Sequence, residues 1–365
     1  MVKNNNKKGR TRSEIVFLIL IVLVLVLGTL NVAKAKGWLI PEQNPIPIQD
    51  NTVNLNDLTL EQKIAQMVIV HGGRHNLNVW KNMQIGGIHL FAMKDEELFK
   101  NTINDFQEDM VIPFFVTVDL EGCWNPFANF KDFYSVSEVK NVGEAFQKGS
   151  DEGKFLHDLG FTINYAPVVD LDDEIWNCRT FPGTEEEITL LAEAYILGLQ
   201  SQGVIATAKH YPGKALVIKD PHKNMVTAEI VLEDIYPYNY LGDKGDVKSM
   251  MVTHVISYGE VNSEGKPAVV SKKAVDTLKE KFDGLITTDD TMMLGLQKFF
   301  DSKEDLYRAV FSAGNDLIIN FNEDPNEIFH MIETVKEAVL NGDIPEEQID
   351  NSVKKILEAK GFNVK

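Results

Sequence analysis

Eight short apolar runs, each followed by a stretch of helical character, constrain this chain more than any other feature. They are MVIV (67–70), GGIHLF (86–91), PFFVTV (113–118), TINYAPVV (162–169), VIATAK (204–209), MMVTHV (250–255), GLITT (284–288) and DLIIN (316–320). Apolar and β-branched residues run through them almost without interruption. Strands of that kind are covered on both faces, which is the signature of a parallel sheet flanked by helices. The intervening segments, such as 136–160 and 185–203, carry apolar residues at helical spacing. Eight strand–helix units over about 300 residues predict an α/β fold, a (β/α)₈ TIM-type barrel forming a single domain over 56–365. An open doubly wound sheet is the alternative, but no Gly-rich phosphate-binding fingerprint follows the first run.

The residues that end these runs are polar. Asp119 follows the third, Asp170 the fourth, Lys209 and His210 the fifth, His254 the sixth and Asp289 the seventh. A barrel gathers strand C-termini around one mouth, so these side chains are expected to meet there. The fifth run leads into KHYPGKALVIKDPHKN (209–224), and no period is evident from Tyr211 to about Thr227. A connection of that length within a compact domain is usually functional, and Pro212, Gly213 and Pro221 favour defined turns. Asp220 and His222 flank Pro221 on this loop. A carboxylate two residues from an imidazole can orient it for proton transfer. The same pair is equally the mark of a solvated turn.

Charge and cysteine content narrow the classes. A net charge of −18 leaves no basic surplus to neutralise phosphates, which argues against a nucleic-acid partner. Two cysteines, Cys123 and Cys178, exclude a disulfide-rich scaffold and a Cys-only zinc site. No residue set shows metal-ligand spacing, and no cofactor is implied. Residues 1–14 carry five basic residues ahead of the apolar run IVFLILIVLVLVLGTLNV (15–32). That length sits at the lower edge of a bilayer span, and upstream Lys and Arg place the N-terminus in the cytoplasm and the rest outside. The competing reading is a signal peptide cleaved after Ala33–Ala35 and a secreted product; a retained single-pass membrane anchor is favoured because the run exceeds the usual signal core. Residues 33–55, with Pro41, Pro45 and Pro47, read as an extended linker.

Several motifs, in order, resemble glycoside hydrolase family 3, in particular its bacterial β-N-acetylglucosaminidases. KHYPGKALVIKDPH (209–222) is similar to the family's K-H-F-P-G-H-G…D-S-H pattern without a gap, and GLITTDDTMMLG (284–295) to G-V-I-x-S-D-D-L-x-M-x-G. NYAPVVDLD (164–172) and NCRTF (177–181) are similar to N-x-A-P-V-x-D and the G-x-R-S-F that follows it. LTLEQKIAQM, IGGIHLF, VDLEG and MVTHV match in sequence, so the resemblance covers essentially 56–361.

The resemblance implies Asp289 as a catalytic nucleophile and His222, paired with Asp220, as the proton donor. Asp119, Arg179, Lys209 and His210 would bind the sugar; ion pairs across the mouth are the alternative for each. Asp170 is expected to orient a neighbour, and Asp290 to bond within the barrel. The implied activity is retaining hydrolysis that releases terminal β-linked N-acetylglucosamine, from peptidoglycan or its fragments. A phosphorylase or transglycosylase using the same dyad is one alternative, and a catalytically weak carbohydrate-binding protein another. Four departures touch the pocket and loop: EGCWNP (121–126) replaces E-G-G-R, GKA (213–215) replaces G-H-G, and Pro221 and Thr291 replace a serine and a leucine. Cys123 and Cys178 follow adjacent barrel strands in a chain expected to be exported, so a disulfide in place of the lost Gly-Arg contacts is one expectation and two small buried free cysteines the equal alternative.

Overall fold

The computed structural model describes residues 19–29, 40–216 and 225–365. Each of the eight apolar runs overlaps one strand: β1 (Val68–His71), β2 (Gly87–His89), β3 (Phe115–Val118), β4 (Ile163–Asn164), β5 (Ile205–Tyr211), β6 (Ser249–Val252), β7 (Leu285–Thr288) and β8 (Ile318–Ile319). All pairings are parallel, in the order β7-β6-β5-β4-β3-β2-β1-β8. A parallel bridge between Thr287 and Leu317 closes the ring, with Leu317 N donating to Ile286 O at 3.0 Å. The barrel predicted from the run pattern is therefore the fold. Val70, Ile88, Val116, Ile163, Ala206, Met250, Ile286 and Ile318 are all buried, as strands covered on both faces must be.

The helices start where side chains can satisfy the first free N–H groups. Thr59 and Thr184 form capping boxes with Gln62 and Glu187, and Asp95 caps the helix Glu96–Gln107. The segment expected to be helical from residue 136 begins instead with a 3-10 turn at Val136–Glu138, and its helix covers Val142–Leu159. Asn141 sets that start by accepting from Glu144 N, and Gly160 ends the helix at φ 98°. This helix lies tight against Glu185–Gln200. A Cβ at Gly149 would stand 2.1 Å from Tyr195 O, and one at Gly198 would stand 2.2 Å from Phe146 O. Only glycine permits backbones that close.

The chain from residue 46 is packed rather than extended. Ile48–Gln49 and Thr52–Val53 form a hairpin, and Asn363–Val364 adds to it in parallel. Ile46 and Val53 are buried against the barrel, so the apolar side chains among the prolines dock the later part of the expected linker. Residues 19–29 are helical, and the rest of the apolar run 15–32 lies outside the described residues. Among the described residues no helix is long and apolar enough to cross a membrane.

Candidate active site

A cavity of about 620 Å³ opens at the C-terminal ends of the strands. It is lined by five of the seven residues expected to act in catalysis or bind the sugar: Asp119, Arg179, Lys209, His210 and Asp289. The other two, Asp220 and His222, lie outside the described residues. β3 delivers Asp119, β5 delivers Lys209 and His210, and β7 delivers Asp289, while Arg179 comes from the loop after β4. A larger cavity of about 930 Å³ lies at the opposite end, around Pro113, Gly284 and Lys360. It faces the N-terminal ends of the strands, where barrels carry stability rather than chemistry.

Two cations and two carboxylates form one chain of ion pairs across the mouth. Lys209 Nζ lies 2.6 Å from Asp119 Oδ1 and 2.5 Å from Glu121 Oε1. Arg179 grips the same Glu121 with Nε at 2.5 Å and a second guanidinium nitrogen at 3.0 Å. Burial alone would raise the Glu121 carboxyl, but the Arg179 and Lys209 charges outweigh it and hold it far below the usual carboxylate range. Burial would likewise strip the proton from Lys209; Asp119 and Glu121 reverse that and raise its pKa. The ammonium therefore stays charged. Glu121 is spent on its two cations, whereas the Asp119 side chain remains 28% exposed, with lone pairs free to accept from a ligand hydroxyl.

His210 is fixed by Asp170. The Asp170 carboxylate accepts from His210 Nδ1 at 3.0 Å, from His210 N at 3.2 Å and from the Tyr238 hydroxyl at 2.8 Å. A carboxylate can only accept, so Nδ1 carries the hydrogen. Arg179 donates to the opposite nitrogen, Nε2, at 3.4 Å. Asp170 is thus an orienting residue, as its strand-end position suggested.

Asp289 is tied to the barrel wall through its backbone, N donating to Val252 O at 3.0 Å, and its Oδ1 accepts from Asp290 N at 2.8 Å. Asp290 lines the cavity beside it, and its Oδ1 accepts from Met292 N at 3.0 Å and Phe321 N at 3.3 Å. The hydrogen bonds of Asp290 to backbone N–H groups are of the kind expected of it within the barrel. His254 is buried, its Nε2 donating to Asp290 O at 2.9 Å.

Sequence reasoning passed over Glu121 and His89. Glu121 stands two residues beyond Asp119 in VDLEG, a signal legible only as a second acid in a strand-end loop. His89 is the polar residue of GGIHLF. It stacks on Tyr165 with ring centres 5.8 Å apart, holds Thr117 Oγ1 at 3.0 Å and places Nε2 3.7 Å from Asp119. Burial pushes its pKa down to about 4, so it enters the site uncharged at neutral pH. Phe91 and Phe321 pack around it, each 4.7 Å away.

Cys123 and Cys178 are joined by a disulfide, with Cα atoms 6.1 Å apart. It ties the loop after β3 to the loop after β4, beside Glu121 on one side and Arg179 on the other. Asp173 reinforces the second loop by accepting from the backbone N–H groups of Trp176, Cys178 and Arg179 at 2.8–2.9 Å. Among the described residues, no cluster of three or more His, Cys, Asp or Glu side chains is arranged to hold a metal ion.

Comparison with known proteins agrees with this geometry. Residues 59–359 match the glycosyl hydrolase family 3 N terminal domain. The chain is 28% identical over 334 residues to the beta-hexosaminidase LpqI of Mycobacterium bovis, covering 84% of each, and 29% identical over 265 residues to a beta-hexosaminidase of Bordetella avium, covering 65% of this chain and 74% of that one. The solved LpqI of M tuberculosis superposes with a TM-score of 0.76 at 26% identity, covering 84% of this chain and 95% of that chain. A family 3 beta-N-acetylglucosaminidase from Paenibacillus gives 0.76 at 25% identity, covering 83% of this chain and 62% of the other. With the match spanning the barrel and the acid and cation constellation at its mouth, the chain belongs to glycosyl hydrolase family 3 and is a glycosidase.

Proposed function

We propose that this chain is a retaining hydrolase of terminal β-linked N-acetylglucosamine, acting on peptidoglycan or its fragments. The observation that carries the reading is Asp289 at the end of β7, lining the same cavity as Asp119, Lys209, Arg179 and His210. In the proposed reaction Asp289 attacks the anomeric carbon, the bond to the departing oxygen breaks, and His222 gives that oxygen its proton. Water, deprotonated by the same histidine, then releases the sugar from Asp289. Asp220 would hold the imidazole in its working orientation and raise its basicity. Lys209 and Asp119 would bind adjacent hydroxyls, one donating and the other accepting, and Arg179 and His210 would complete the sugar pocket. The names of the beta-hexosaminidases it resembles support the substrate class. The apolar run 15–32 behind its basic tail supports tethering to the outer face of a membrane; a native N-terminus beginning at Lys36 would refute it.

Incubating the purified protein with an aryl β-N-acetylglucosaminide, with and without phosphate, tests the activity. Free N-acetylglucosamine of retained anomeric configuration is expected. A sugar phosphate would assign phosphorolysis, and no product at all would sink the enzymatic reading.

A further inference from the structure

Trp124 presents a large apolar face to water on a loop that is otherwise held firmly. Its side chain is 53% exposed, yet the backbone on both sides is pinned. Glu121 N donates to Trp124 O at 3.0 Å, and Cys123 next to it is tied to Cys178. Beyond it, Asn125 Oδ1 accepts from Phe127 N at 2.9 Å while Asn125 Nδ2 donates to Lys131 O at 2.7 Å. Phe127 is fully buried, 4.9 Å from Phe99 and 5.0 Å from Phe155.

The indole lines the cavity that holds Asp289. Lys209, His210 and Arg179 in the same cavity are buried, so Trp124 stands at the rim, on the path of whatever extends out of the pocket. The cavity's other tryptophan, Trp176, has its ring under the Arg179 guanidinium at 4.8 Å. Among the described residues, the Trp124 ring stacks on no other ring or cation.

We propose that Trp124 is the stacking platform for the sugar ring on the leaving-group side of the bond to be cleaved, an inference that rests on the glycosidase reading above. A β-linked pyranose presents a face of C–H groups with its hydroxyls at the edge. An indole offers a matching flat apolar face and a polar tip suited to a wet rim. Because the loop is already ordered, binding there costs little conformational entropy. Position 124 thereby selects substrates whose leaving group is itself a pyranose over those with a small alkyl group.

The test compares kcat/KM for a β-linked N-acetylglucosamine disaccharide with that for methyl β-N-acetylglucosaminide, in wild type, Trp124→Ala and Trp124→Phe. The disaccharide-to-methyl ratio should fall about ten-fold in Trp124→Ala and be largely kept in Trp124→Phe. An unchanged ratio, or one that Phe fails to preserve, overturns the platform. Titration calorimetry of the same disaccharide against Asp289→Asn, with and without Trp124→Ala, reads the platform without turnover. About ten-fold weaker binding is expected, and equal affinity refutes it. Absence of wild-type turnover on both substrates would instead refute the glycosidase reading, leaving the calorimetric result to decide on Trp124.

Discussion

Replacing Cys123 and Cys178 together by alanine should loosen the mouth of the barrel without changing its fold. The two residues are 55 apart in sequence. Cross-linking a loop of that size removes about 14 cal/mol/K of unfolded-chain entropy, or about 4 kcal/mol at 25 °C. For the 59–359 domain, an unfolding entropy of about 0.6 kcal/mol/K turns that into a fall in Tm of about 7 °C. Urea unfolding of wild type, of wild type under reductant, and of the double variant should show the second and third coinciding, both shifted down by the same amount. The two loops also carry Glu121 and Arg179, so KM for an aryl glycoside should rise more than kcat falls. A loss below about 1 kcal/mol would show that the unfolded chain is already restricted there or that the folded loops are strained by the bridge, and the entropy argument would fail. Two alkylatable thiols in the folded, unreduced protein would refute the bridge itself.

Three further outcomes follow from the site. Asp289→Asn should abolish turnover of good and poor leaving groups alike, whereas His222→Ala should lose more bond-cleavage rate on a natural disaccharide than on an activated aryl glycoside and should accumulate a sugar ester that azide releases. Wild-type disaccharide rates in His222→Ala would refute the donor assignment. His89, with a folded pKa of about 4 against an ordinary value of 6.5, takes up its proton first in the unfolded chain. Its contribution is therefore complete above pH 6.5 and lost as pH falls toward 4. His89→Gln should remove about 2 kcal/mol of the stability difference between pH 7 and pH 4.5, measured by urea unfolding; an identical pH slope in the variant would show that His89 is not the group responsible. Glu121→Gln leaves Arg179 and part of the Lys209 charge without their buried counter-ion and should cost about 3 kcal/mol, read as a lower urea midpoint; a neutral substitution would mean that the cations find water or Asp119 instead.

The amino-acid order alone determined the barrel and one end of its chemistry. Eight apolar runs with polar C-terminal ends leave few folds that can bury the former and solvate the latter, so Asp119, Lys209, His210 and Asp289 were bound to meet once the ring closed. Local capping was equally readable in principle: Asn141 before a helical period is a start signal, and it places the helix six residues later than the apolar period from Val136 predicts. Other properties depend on contacts between distant segments. Glu121 becomes an anchor only because Arg179, 58 residues on, folds over it. His89 stays uncharged well into mildly acidic solution because closure of the barrel removes water from it. The residues 46–53 read as a proline-spaced tether until Asn363–Val364, from the far end of the chain, pairs beside them. Periodicity records which faces a segment must bury, since burial is a property of each residue's own solvation. Which charge meets which, and how far water is excluded from the pair, is set by the closed barrel.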